Sequence, residues 1–73
     1  MRVMIYARDA EGRAHRTYHE VEPRWEPADR IADQVDETRA IAAIDRVVVS
    51  TNGLTYAFGS ESVEEIMREH RRR

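Results

Sequence analysis

The chain has 73 residues and no cysteine, so it is long enough for one small domain and lacks a disulfide framework, a cysteine metal site and a cysteine nucleophile. Its formal net charge is −2, and its 36% of charged residues indicates a globular domain with a heavily charged surface. The apolar run over residues 3–7 is too short for a signal peptide or a membrane span, and we expect a cytoplasmic protein that does not act on membranes.

Charge is spread unevenly along the chain. Residues 20–45 carry eight acidic side chains against three arginines, whereas the segments on either side carry a small excess of arginine. All twelve basic residues are arginine, and none is lysine. GC-rich coding DNA of a bacterium, an archaeon or one of their viruses explains this bias more simply than selection for guanidinium contacts. The middle of the chain is therefore the acidic part.

The first predicted element is a β-hairpin over residues 2–22. Val3, Ile5 and Ala7 alternate with other side chains, which is strand spacing. Asp9 and Gly12 then suit the first and last positions of a type I turn, in which Gly12 takes a positive φ and adds a glycine bulge. This turn predicts four cross-strand pairs: Arg2 with Glu20, Met4 with Tyr18, Tyr6 with Arg16, and Asp9 with Arg13.

A helix is predicted next, over about residues 27–42. Pro23 ends the strand, and Pro27 suits the first turn of a helix, where a missing N–H group costs nothing. Apolar side chains then recur at helical spacing, at Ala28, Ile31, Ala32, Val35 and Ala42. No glycine marks the end of this helix, which the sequence places only between residues 38 and 43.

Residues 45–59 predict a second β-hairpin. Asn52 and Gly53 stand between two apolar runs, which is the strongest short signal for a type I′ turn. The turn places the large apolar side chains on one face, in the pairs Thr51 with Leu54, Val49 with Tyr56, and Val47 with Phe58.

A closing helix is predicted over about residues 62–71. Ser62 and Glu65 have the spacing of a capping box, and the arginines of the last turn suit the negative end of the helix dipole. One side of this helix is predicted to carry Val63, Ile66, Met67 and His70. The order ββαββα predicts an α+β fold: a single domain over residues 1–73, built as a two-layer sandwich of a four-stranded, mostly antiparallel sheet with both helices on one face.

The first predicted helix carries an acidic face. Four carboxylates lie opposite its apolar stripe, at Asp29, Asp33, Asp36 and Glu37, and Glu26 stands in line just before the helix. Like charges four residues apart cost about 0.2–0.5 kcal/mol for each pair. The simplest interpretation is a solvated helix surface. As a functional surface, a row of carboxylates on a rigid helix imitates a line of phosphates and would dock on a basic partner.

Trp25, the only tryptophan, lies between Pro23 and Pro27. As a lid over the small core, its ring would bury a large apolar area. As an exposed anchor beside Glu26, it would join the acidic surface, because tryptophans dominate interface energetics. The small number of aromatic residues favours the lid.

A second candidate surface is the outer face of the first hairpin. If Val3 and Ile5 face the core, that face presents aromatic, methionine and arginine side chains: Arg2, Met4, Tyr6, Arg8, Arg16 and Tyr18. Such a face can stack bases and neutralise phosphates, or it can form a protein contact. Local packing of arginine stems on tyrosine rings explains it equally well.

The sequence offers little for metal binding or catalysis. His15 and His19 share a strand face, but four residues along a strand separate them by about 13 Å. The serines at positions 50, 60 and 62 lie in a hairpin and around a helix start, and the sequence has no Gly-rich phosphate loop or nucleophile elbow. The arginines at positions 71–73 suit a solvated chain end. We therefore expect no enzyme, no metal and no cofactor.

These observations favour a small non-enzymatic binding protein. We expect an inhibitor or regulator of phage or mobile-element type, the class that includes anti-CRISPR proteins, which blocks the basic surface of a nucleic-acid-binding protein. Its contact residues would be Trp25, Glu26, Asp29, Asp33, Asp36 and Glu37. One alternative is a nucleic-acid-binding module that uses the arginine and tyrosine face of the sheet. Another is a homodimeric accessory subunit joined through Met4, Tyr6 and Tyr18.

Overall fold

A computed structural model describes residues 1–22 and 27–71, with the side chains of the second range from residue 29 onward. The chain has the predicted order ββαββα and forms a small α+β fold. Its elements are β1 (Arg2–Arg8), β2 (Ala14–Glu20), α1 (Pro27–Arg39), β3 (Ala43–Thr51), β4 (Leu54–Gly59) and α2 (Ser60–Arg71). Within these two ranges no helix is long and apolar enough to cross a membrane.

The four strands form one sheet in the order β2-β1-β3-β4, and neighbouring strands are antiparallel. Helix α1 connects the outer strand β2 to β3 and so passes over β1. Both helices pack on the same face, where α1 contacts β1 and β3 while α2 contacts β3 and β4. Neither α1 nor α2 packs on the opposite face of the sheet, which we call the open face. This topology makes β2 and β4 the two edge strands.

Both hairpin registers are those that the sequence predicts. Strand β1 pairs with β2 from Arg2 opposite Glu20 to Arg8 opposite Ala14. The first turn has the Gly12 N–H bonded to the Asp9 carbonyl at 3.0 Å, and Gly12 takes φ 82°. The second hairpin pairs Thr51 with Leu54, Val49 with Tyr56, and Val47 with Phe58.

The core lies between the sheet and the two helices. On β1, Val3 and Ile5 are fully buried, and on α1 only 2% of the Val35 surface is exposed. The remainder of the core cluster joins both layers and consists of Val21, Ala32, Val47, Val49, Val63 and Met67. The period of two on the strands and of three to four on the helices therefore selects the buried side chains.

Helix α1 ends within the predicted range of residues 38–43, but before the approximate bound at residue 42. It stops at Arg39, not near residue 42, and Ala42 is buried in the turn that follows. The Thr38 carbonyl accepts the N–H of Ile41 at 3.0 Å and the N–H of Ala42 at 2.9 Å. These bonds close a tight turn without glycine, and β3 can begin at Ala43.

Helix α2 begins at Ser60, two residues before the predicted start, and the predicted capping box at Ser62 is wrong. Strand β4 ends at Gly59, so the helix starts as soon as the strand ends, and Gly59 takes the N-cap position. Ser62 therefore lies inside the first turn and cannot cap the helix. The predicted apolar side is only half enclosed, since Val63 and Met67 are buried whereas Ile66 is 49% exposed.

Candidate functional site

The acidic face predicted on α1 exists, and α2 lies beside it. Asp29, Asp33, Asp36 and Glu37 are all exposed. The last turn of α2 places basic side chains against two of them: His70 Nε2 lies 3.0 Å from Asp29 Oδ1, and Arg71 Nη2 lies 2.9 Å from Asp36 Oδ1. Because the start of α1 meets the end of α2, the two helices run antiparallel. Half of the predicted acidic face is therefore engaged within the molecule.

A further ion pair ties the other ends of the helices together. Arg39, in the last turn of α1, contacts Glu64 near the start of α2. The same guanidinium lies 3.8 Å from the Asp36 carboxylate. Arg39 is only a quarter exposed, so it belongs to the seam between the helices, whereas Arg30 of α1 is exposed.

Asp33 and Glu37 are different from their neighbours. They stand one helical turn apart, both are exposed, and within the described residues neither has an ion-pair partner. A like-charge pair at this spacing opposes helix formation slightly, and among the described residues no basic side chain lies within ion-pair distance of either carboxylate. These two carboxylates form the free part of the face. Trp25 and Glu26, predicted at its edge, lie outside the described residues.

The open face of the sheet carries the second predicted surface. Met4 and Tyr6 are half-buried on β1, and Tyr18 on β2 is 52% exposed. The guanidinium carbon of Arg46 lies 4.3 Å from the centre of the Tyr6 ring, and Arg16 pairs opposite Tyr6 from β2. Tyr6 therefore lies in a row between two arginines from the strands on either side.

Arg46 is absent from the predicted surface. Tyr6 pairs with Arg46 and Ala7 with Ile44, so Asp45 is the extra residue of a β-bulge in β3. The bulge leaves Arg46 on the open face and brings Asp45 within 3.9 Å of Arg8. The alternation in β3 offered a signal, because Arg46 immediately precedes Val47, which the sequence places on the apolar face, so Arg46 should face the other way. The sequence did not indicate that β3 pairs with β1, so it could not predict the contact between Arg46 and Tyr6.

Acidic side chains offset part of the positive charge on the open face. Glu20 Oε1 lies 3.6 Å from Arg2 Nε, and the Tyr18 hydroxyl donates a hydrogen bond to the same carboxylate. That hydrogen bond, followed by partial burial, raises the pKa of Tyr18 above its ordinary value. The face is therefore a mixture of both charge signs with arginines in excess.

The turn of the first hairpin concentrates polar contacts on one carboxylate. Asp9 accepts the N–H of Arg13 at 2.8 Å and that of Glu11 at 3.0 Å, and His15 Nε2 lies 2.8 Å from its other oxygen. The hydrogen bond from His15, followed by that of the Arg13 N–H, lowers the pKa of Asp9 below its ordinary value. His19 bonds to Thr17 at 3.2 Å, so the two strand histidines have separate partners. Three or more metal-ligating side chains do not come together anywhere within the described ranges.

An apolar groove, which no sequence pattern indicates, lies between the helices and the outer part of the sheet. Its volume is about 730 Å³, and Ile31, Val35, Tyr56, Phe58 and Ile66 form much of its wall. Helix α2 does not cover the outer strand fully, because Tyr56 is 47% exposed and Leu54 is 57% exposed. The core-facing side of β4 therefore remains accessible to solvent.

Comparison of the chain with protein-family models, with curated proteins and with solved structures finds no match.

Proposed function

We propose that the chain is a small non-enzymatic binding protein that presents the acidic face of α1 to a basic surface on a partner protein. The observation that carries this proposal is the exposed pair Asp33 and Glu37, neither of which has an ion-pair partner among the described residues. A partner arginine placed against them would relieve a repulsion that the fold itself leaves in place.

The neighbouring ion pairs fit this role. Asp29 and Asp36 remain about half exposed even while they contact His70 and Arg71. Exposed contacts of this kind contribute only about 0–1 kcal/mol, so basic side chains of a partner can replace those of α2 at little cost. A rigid helix with four carboxylates then matches a surface that ordinarily binds phosphates, and docking there makes the protein an inhibitor or regulator of that partner.

The test is an affinity capture from lysate of the source organism or its host, with and without nuclease. The decisive variant is Asp33→Asn/Glu37→Gln, which removes the free charge and leaves the ion pairs between the helices unchanged. The matched control is Glu11→Gln/Glu61→Gln, which changes the net charge equally on other exposed surfaces. We expect the wild-type chain and the control to capture a basic protein, and nuclease treatment should not prevent this capture. The decisive variant should fail to capture it, and high salt should weaken the binding.

The inhibitory role needs a second measurement on the captured partner. The wild-type chain should displace nucleic acid from that partner, and the decisive variant should not. Capture that is equal for both variants would contradict the assignment to α1.

A second candidate function rests on the contact between Arg46 and Tyr6. An aromatic ring between Arg16 and Arg46 on an open sheet is an arrangement that can stack a base and hold its phosphates. This function makes the chain a module for single-stranded nucleic acid. Fluorescence anisotropy with labelled single strands would compare Arg16→Ala/Arg46→Ala with a control, Arg30→Ala/Arg68→Ala, on exposed helix positions. Steeply salt-dependent binding that only the first pair abolishes favours this candidate; no binding rejects it.

A further inference from the structure

The two edges of the sheet differ in sequence. Strand β2 reads AHRTYHE and carries ionisable side chains along most of its length, whereas β4 reads LTYAFG and carries no charge. An edge strand offers unpaired N–H and C=O groups, and charged side chains are the usual means of keeping other strands away from it. Strand β4 lacks that protection and also borders the apolar groove.

The hairpin geometry determines which groups of β4 point outward. In a two-residue hairpin the residues next to the turn form a hydrogen-bonded pair, and bonded and non-bonded pairs then alternate. Thr51 and Leu54 are that first pair, so Tyr56 and Phe58 bond to β3. The N–H and C=O groups of Thr55, Ala57 and Gly59 therefore point to the free edge.

We propose that two copies of the chain pair through their β4 strands, antiparallel and around a two-fold axis at Ala57. The pairing joins two four-stranded sheets into one continuous sheet. Ala57 of each copy exchanges both backbone hydrogen bonds with Ala57 of the partner subunit, and Thr55 pairs with Gly59 of the partner subunit. A two-fold contact of this kind is closed and does not propagate into a fibre.

The side chains of β4 are complementary to themselves in this register. On the open face, only the small residues Thr55, Ala57 and Gly59 meet, so the strands can approach without a clash. On the helix face, Tyr56 lies opposite Phe58 of the partner subunit in a non-hydrogen-bonded pair, where side chains are closest and aromatic pairs stabilise a sheet. The pairing thereby covers Tyr56, which the single chain leaves 47% exposed.

The absence of charged side chains on β4 favours a second copy of the chain as the partner and favours this edge of the sheet. A two-fold contact places each side chain near its own copy, so a charged strand brings like charges together. Strand β4 has no charged side chains, so its pairing brings no like charges of the strand together. Strand β2 would have to desolvate Arg16, Glu20 and two histidines. The exposed Leu54 and Ile66 beside β4 add apolar surface to the same contact.

Sedimentation velocity over a concentration series into the millimolar range tests the proposal. Ala57→Pro removes an outward N–H that has no bond to β3, so it blocks the new pairing without breaking the hairpin. Ala14→Pro is the matched control, because Ala14 follows the bonded pair of Asp9 and Arg13 and also points its N–H outward, but from β2. We expect wild type and Ala14→Pro to reach twice the monomer mass and Ala57→Pro to remain monomeric. A monomeric wild type, or a dimer that survives Ala57→Pro, overturns the proposal.

A cysteine test decides the matter if Ala57→Pro fails to fold. The chain has no cysteine of its own, so Ala57→Cys introduces a single thiol. Hydrogen-bonded antiparallel partners have Cα atoms about 5.5 Å apart but Cβ atoms too far apart for an unstrained disulfide, so a short bis-maleimide reagent is used to join the thiols. The reagent should cross-link most of the Ala57→Cys chains and few of the Ala14→Cys chains. Equal cross-linking of the two variants, or none, overturns the pairing at Ala57.

Discussion

Both hairpins place a glycine with positive φ in the turn, but the first, β1–β2, adds side-chain hydrogen bonds, whereas the second, β3–β4, has two consecutive residues with positive φ. In the first, the Asp9 carboxylate gathers the N–H groups of Glu11 and Arg13 and one nitrogen of His15. In the second, Asn52 takes φ 50° and Gly53 takes φ 77°, the positive values of a type I′ turn. One topology is thus obtained by two different means.

The two edge strands, β2 and β4, also differ in the polarity of their side chains. Strand β2 is covered with ionisable groups that bond to one another, as Tyr18 does with Glu20. Strand β4 has apolar side chains that the helices cover only in part. The first hairpin should therefore respond to pH and to removal of charge, while the second should respond to changes of backbone freedom and of association.

The largest expected difference in the free energy of unfolding is between truncating a buried side chain and truncating a half-exposed one on the helix-covered face of the sheet. Ile5, in the first hairpin, is fully buried, and Ile5→Ala should lower the free energy of unfolding by about 2–5 kcal/mol because it leaves a cavity. Leu54, in the second, is 57% exposed, and Leu54→Ala should cost about 0.5 kcal/mol or less. Urea denaturation at low protein concentration measures both. Similar losses would mean that β4 is packed as tightly as β1.

The next effect concerns the turn of the second hairpin. Gly53→Ala should cost about 1–2 kcal/mol, because a Cβ atom is strained at φ 77° even though nothing lies near it. Gly59→Ser is the control, since that glycine has an ordinary φ and open space around it, and serine also suits the N-cap of α2. Thermal unfolding of both variants checks the prediction. An equal loss at Gly59 would show that strand flexibility matters more than the turn.

Much of this fold follows from local sequence. The register of the second hairpin depends on Asn52 and Gly53, and that of the first on Asp9 and Gly12, so a few residues fix both. The ends of the helices were harder to predict. The C-terminal turn of α1 is made by a backbone carbonyl, that of Thr38, which any residue could supply.

The sequence predicts which side chains share a face of an element, but not which side chains from other elements contact them. The period of α1 brings Asp29 and Asp36 to one side, which is a local property of the helix. Their partners, His70 and Arg71, come from a helix more than thirty positions away, and only the crossing of the helices brings them there. The contact of Arg46 with Tyr6 likewise depends on the pairing of β1 with β3 and on its bulge.

A smaller effect should appear at acid pH in the first hairpin only. The hydrogen bond from His15 holds the pKa of Asp9 below its ordinary value of 3.8, so Asp9 contributes stability above that pH and loses it as the pH falls through the lowered pKa. Asp9→Asn should weaken the fold at neutral pH and flatten this part of the pH profile. Carboxyl chemical shifts followed by NMR give the pKa directly. An unchanged profile in Asp9→Asn would assign the acid sensitivity to other carboxylates.

The smallest effect should appear at the alkaline end, again in the first hairpin. The hydrogen bond to Glu20 favours the neutral phenol and raises the pKa of Tyr18 above 10.0, so its contribution to stability is present below that pH and is lost as the pH rises through the raised pKa. Glu20→Gln should bring the titration of Tyr18 back towards its ordinary range, because the carboxylate charge is removed while an acceptor oxygen remains. Absorbance titration of the phenolate in wild type, Glu20→Gln and Tyr18→Phe resolves this one tyrosine. If Glu20→Gln leaves the curve unchanged, the hydrogen bond at this edge does not form in solution, and the contrast between the two hairpins is reduced to their turns.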